Sequence, residues 1–92
     1  MPEELRFYLR RLLVVASYGS EEGLSTLKEW ILALTSGDLP RARSLQPELE
    51  RVFSKFRFSE IASALTQAAS SGGLSGEEID MALSVIERRL RG

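Results

Sequence analysis

The stretch Leu24-Ser25-Thr26-Leu27-Lys28-Glu29-Trp30-Ile31-Leu32-Ala33-Leu34 decides the class of this protein. Leu24, Leu27, Ile31 and Leu34 recur at i, i+3, i+7 and i+10, a two-heptad seam with Trp30 and Ala33 beside it. A half-buried strand would alternate at every second residue, and no segment of the chain sustains that period for more than a few residues. The spacing predicts a helix, closed at Ser36-Gly37-Asp38. Its start is less sharply marked. Ser20-Glu21-Glu22-Gly23 reads as a cap and an acidic first turn, yet a glycine costs about 1 kcal/mol inside a helix and can displace the start to Ser25.

The same period extends in both directions. Upstream, Leu5, Leu9, Leu12 and Ala16 form an i, i+4, i+7, i+11 stripe that Tyr8, Leu13 and Val15 widen. Pro2, Glu3 and Glu4 suit its first turn, and Tyr18-Gly19-Ser20 ends it near Ser17. Downstream, Leu39 to Ser44 fits a loop or a short helix with Pro40 in its first turn, and a short helical turn is the expectation. Pro47 is expected to mark a boundary, because the residue before a proline is pushed away from helical angles. Leu49, Val52, Phe53 and Phe56 then give the third stripe. Ser59 is the expected N-cap of a fourth helix, in which Ile61, Ala62, Leu65, Ala68 and Ala69 continue an inward pattern opened by Phe58. Ser70-Ser71-Gly72-Gly73 is the strongest punctuation in the chain. Ser75-Gly76-Glu77-Glu78 follows with capping-box spacing and opens a last helix carrying Ile79, Ala82, Leu83, Ile86 and Leu90. The expectation is an all-α fold: one helical domain over 1–92, a compact antiparallel bundle of four to five short helices.

A chain of 92 residues suffices for one core without staples. It has no Cys and no His, which excludes disulfides, zinc held by Cys or His, haem ligated by either, a cysteine nucleophile and every Ser-His-Asp variant. The lack of cysteine fits a reducing compartment, so a cytoplasmic location is expected. The longest apolar run, Leu12 to Ala16, falls far short of the roughly 20 residues of a transmembrane helix. The N-terminus lacks the basic and apolar regions of a signal peptide, so none is expected. With 12 Lys+Arg against 13 Asp+Glu, long-range steering toward nucleic acid is not expected.

Few residues suggest chemistry. Glu77, Glu78, Asp80 and Glu87 are read as helix-terminal and solvated carboxylates, because the alternating ligands of a calcium loop are missing. Gly72-Gly73 has no Lys after it and no strand before it, so it is a helix stop and not a phosphate loop. No enzyme activity, metal or cofactor is expected. Trp30 fits core packing, and it also stands as a candidate partner anchor because Trp is over-represented at interface hot spots. Arg41, Arg43, Arg51, Lys55 and Arg57 make 40–57 the most basic segment, a candidate docking face for an acidic partner or an anionic membrane surface. Pairs within the helix, such as Glu48 with Arg51, account for part of it. Arg88, Arg89 and Arg91 form a second basic group, at the negative end of the last helix, and are candidate partner contacts as well.

Phe58 to Leu90 has the outline of a helix-turn-helix DNA reader, but its turn is long and its second helix begins with Glu77, Glu78 and Asp80. Nucleic acid is therefore not the expected partner. The expected function is a noncatalytic protein-protein interaction or regulatory adaptor, whose partner the chain does not name. The first, second and last helices are apolar over wide arcs, and a chain this short can leave an apolar strip for a twin subunit to cover, so a homodimer is a further expectation.

Lys55-Phe56-Arg57-Phe58-Ser59-Glu60-Ile61, with Leu65 and the Ser70 to Gly73 turn, resembles the third and fourth helices of immunity proteins against pediocin-like bacteriocins. The resemblance implies a cytoplasmic antiparallel four-helix bundle that protects a producing cell through a membrane receptor complex, its C-terminal region contributing specificity. It rests on a basic-aromatic junction and apolar spacing, and it transfers no site residue.

Overall fold

Helices form wherever the apolar period is sustained. The computed structural model describes residues 3–72 and 74–92, so the roles read for Pro2 and Gly73 lie outside the described residues. It contains α1 (Glu3–Tyr18), α2 (Leu24–Thr35), α3 (Leu39–Val52), α4 (Phe58–Ser70) and α5 (Glu77–Arg91), and no strand among the described residues. The all-α bundle predicted by the spacing is the observed architecture.

The helices form a closed ring in the order α1, α5, α2, α3, α4, each packing on the two beside it, while α2 also reaches α4 across the centre. Arg41 meets Glu29 and Arg51 meets Glu22, so α3 runs back along α2 and the turn before it. Arg11 meets Glu60, and Glu4 and Ser71 border one groove, so α4 runs antiparallel to α1. In contrast, α1 and α5 run side by side in the same direction: Arg6 lies 3.9 Å from Glu78 near both N-termini, and Arg89 reaches the end of α1. A ring with an odd number of helices cannot alternate direction at every step.

The inward stripes are those the spacing predicts, except at the end of α5, where Leu90 is exposed. Leu9, Leu12, Val15 and Ala16 of α1, the full α2 seam with Trp30 and Ala33, and Ile79, Ala82 and Ile86 of α5 are all buried. One continuous apolar cluster joins all five helices, and it contains no buried polar or charged residue among those described. Its centre is aromatic. The Trp30 ring lies edge-on to Phe58 with centroids 5.0 Å apart, and Phe53 lies 6.0 Å from Phe58. Phe53 also fills the space beneath Gly19 and Gly23, in the turn between α1 and α2.

The helix boundaries depart from the sequence reading in four places. The α2 cap is a separate 3-10 turn, Glu21–Gly23, in which the Ser20 hydroxyl accepts from the Glu22 N–H, and α2 begins at Leu24 instead of Ser25. Pro47 does not end a helix, because α3 runs unbroken through it from Leu39. The start is held by the Asp38 carboxylate, which accepts from the Arg41 N–H at 3.2 Å. An internal proline costs about 3 kcal/mol. Here that cost falls on the exposed side of α3, while buried Ala42 and Leu49 hold the turns before and after it in the core.

Ser59 is not the cap of α4. The third stripe is split after Val52 by Phe53 and a 3-10 turn, Ser54–Phe56, and Arg57 turns the chain into α4 in the left-handed conformation (φ 53, ψ 52). Phe53 and Phe58 are both fully buried only because the chain reverses within this short corner. The left-handed region costs a residue with a Cβ roughly 1–2 kcal/mol, a penalty glycine escapes. Arg57→Gly is therefore expected to raise the urea midpoint by the equivalent of about 0.5–1 kcal/mol. A lowered midpoint would mean that the 4.0 Å contact of Arg57 with Glu60 outweighs the strain.

The capping box at Ser75 does not form either. Gly76 is itself the N-cap of α5, at φ 125 and ψ −175, with no side-chain cap bond. This places Glu78 one position too early to reach back, and its carboxylate turns to Arg6.

Candidate protein-binding face

The helices distribute the predicted site residues to separate places. Trp30 is fully buried between α2 and α4, so it is a core residue and not a surface anchor. The physical reason is that the Arg57 corner brings Phe58 of α4 edge-on against the indole, so that α4 packs on a side chain that stands at the margin of the α2 seam. The indole Nε1 finds no acceptor among the described residues.

Much of the basic segment on α3 and its corner is engaged within the molecule. Arg41 Nη2 donates to Glu29 at 2.6 Å. Arg51 donates to Glu48 and, through Nη2, to Glu22, and these hydrogen bonds, Glu48 first, raise its guanidinium pKa above the ordinary value. Arg57 leans toward Glu60. Arg43 and Lys55 are exposed, Arg43 on a polar groove between α3 and α4.

At the other basic group, Arg89 is half-buried and donates to the carbonyls of Ala16 at 2.8 Å and Gly19 at 2.7 Å. It satisfies terminal acceptors of α1 with a positive charge at the helix end that favours it. Arg88 and Arg91 remain exposed on α5. The two basic groups do not merge, because α3 packs on α2 and α4 while α5 packs on α1 and α2.

The acidic residues of α5 also diverge. Glu78 faces Arg6 on α1, and Glu87 lies 3.6 Å from Lys28 on α2. α4 and α5, the two helices of the helix-turn-helix outline, are not neighbours in the ring, since α1 lies between them.

What the sequence reading did not single out is the outer side of α1. Its inward stripe leaves Phe7, Val14 and Tyr18 at i, i+7 and i+11 on the opposite side, 53%, 45% and 78% exposed. The i+7, i+11 spacing was present in the sequence as a second, weaker stripe. Phe7 is held in place: its ring meets Tyr8 edge-on at 5.2 Å, and the Arg11 guanidinium stands 5.7 Å from the Phe7 centroid and 5.4 Å from that of Tyr8. Arg11 is fixed in turn by bonds to Glu60 at 3.0 Å and to the Phe56 carbonyl at 2.8 Å. All six large apolar side chains exposed among the described residues lie on α1, α2 and α5, the helices whose apolar arcs are widest: Phe7, Val14, Tyr18, Leu32, Met81 and Leu90.

No described helix is long and apolar enough to cross a membrane. Comparison of the chain with protein families, with characterised proteins and with solved structures finds no match.

Proposed function

We propose that this chain is a noncatalytic, cytoplasmic protein-interaction module that docks a partner through the outer side of α1. The observation that carries the reading is the exposed line of Phe7, Val14 and Tyr18 on a bundle whose core is already complete without them. Aromatic side chains are enriched at interface cores, and exposed apolar side chains lined up on one side of a helix offer a partner such a core. The internal pairing of Arg41 and Arg51 moves the preferred docking surface from residues 40–57 to α1. A cysteine-free chain suits a reducing compartment.

The test is affinity capture from the native host with the tagged chain and with a Phe7→Ser, Val14→Ser, Tyr18→Ser variant of unchanged helicity. The unmodified chain should recover one partner at stoichiometric yield, and the variant should lose it. One hot-spot residue is worth about 2 kcal/mol or more, so affinity should fall at least roughly 30-fold. Equal recovery by both chains, or loss only on Arg43→Ala with Lys55→Ala, would move the function elsewhere.

A further inference from the structure

We infer that the partner meets this face with an acidic amphipathic helix, an inference that rests on the docking reading above. Beyond Glu4, α1 carries Arg6, Arg10 and Arg11 and no acidic residue as far as Tyr18. Arg10 is exposed, on the flank of the Phe7 and Val14 line. The parallel α5 extends the same surface. Its α1-facing side carries Glu78 and Arg89, and the helical period places exposed Met81 and Arg88 just outside that side. Glu3, Glu4 and Glu77 gather the negative charge at the N-terminal end of this helix pair, and Glu87 is turned to Lys28 on α2. Along the rest of the face, Arg10, one turn on from Arg6 and so on the α5 side of the Phe7 and Val14 line, and Arg88 on α5 stand as exposed cations beside the apolar side chains.

A line of apolar side chains at helical spacing complements another helix, and cationic borders select carboxylates on its flanks. A second copy fits poorly. Antiparallel pairing of two α1 stripes that sets Phe7 against Val14 places the two-fold axis between residues 10 and 11, and so brings the Arg10 and Arg11 pairs of both copies together. Nucleic acid offers no apolar complement to Phe7, Val14 and Met81, and two or three cations release few counterions.

The probes are two synthetic amphipathic peptides of three heptads, with Leu at both seam positions and either Glu or Lys at all flanking positions. Each is titrated against the full chain by fluorescence anisotropy and by amide chemical-shift mapping. The Glu peptide should bind at least about tenfold more tightly than the Lys peptide, weaken with salt, and move only α1 and α5 resonances. Arg10→Glu with Arg88→Glu should reverse that preference while leaving the circular dichroism spectrum unchanged. Equal binding of the two peptides, shifts centred on α3, or binding to phosphatidylserine vesicles or duplex DNA in place of the Glu peptide would overturn the inference. So would a dimer seen by sedimentation and abolished by Val14→Glu. If the Glu peptide fails to bind while the triple-serine variant still loses its native partner, the acidic-helix inference falls and the docking reading stands. If that variant keeps its partner, both fall.

Discussion

Replacing Trp30 by alanine is expected to lower the stability of the chain by about 3–5 kcal/mol, the range for emptying a large buried aromatic site. Trp30 is fully buried, and its ring ties α2 to Phe58 at the start of α4, across the centre of the ring of helices. A chain of 92 residues has a net stability on the order of 5–14 kcal/mol, so the loss is a large share of the total. Urea denaturation should show the midpoint falling by about a fifth or more with little change in slope. Trp30→Phe should lose well under half as much. The phenyl ring keeps the edge contact with Phe58, and the indole N–H that is removed has no acceptor among the described residues. Equal losses for the two variants would show that the edge contact with Phe58 which the phenyl ring keeps contributes nothing to the stability.

The second large effect comes from the smallest change. Gly23 has φ −96 and ψ −1, angles any residue adopts, so on backbone grounds alanine should stabilise it by about 0.4–1 kcal/mol. The packing reverses the sign. A Cβ at Gly23 would lie 2.6 Å from Phe53 Cζ and 2.9 Å from Val52 Cγ1. Phe53 is boxed in, because a Cβ on Gly19 would meet the other side of its ring, also at 2.6 Å. Gly23→Ala is therefore expected to cost about 1–3 kcal/mol through overpacking. In a Phe53→Leu background much of that penalty should vanish, giving a coupling energy of about 1 kcal/mol or more in a double-mutant cycle. Additive losses, or a stabilised Gly23→Ala, would show that the turn between α1 and α2 yields to admit the methyl group.

These two sites divide in what the sequence makes legible. The α2 seam places Trp30 beside the inward face, but the period of a helix leaves a residue at the edge of its stripe free to be core or surface. Phe58 settles it, and Phe58 arrives only because Arg57 takes a left-handed turn that no local spacing announces. Gly23 read as a poor helix former, whereas its role is to leave room for a ring thirty residues further along the chain.

Charge behaves in the same way. The pair of Glu48 with Arg51 is visible as i, i+3 spacing and is present at 2.9 Å. The partners that Arg41 and Arg51 find in Glu29 and Glu22 exist only once α3 lies along α2, and they neutralise much of a segment that looked like a basic docking face. Arg89 looked like an exposed charge at a helix end, and it is the cap of a different helix, bonded to Ala16 and Gly19.

The sequence by itself determined the helical class, the inward stripes and the chemistry that cannot occur, because each follows from local period or from which residue types are present. The tertiary structure alone decided which edge residues are buried, which charges are paired and which apolar stripe is left over. Those properties belong to pairs of helices, and the ring order that sets α5 beside α1 and Phe58 over Trp30 is a contest among whole faces that no single segment encodes.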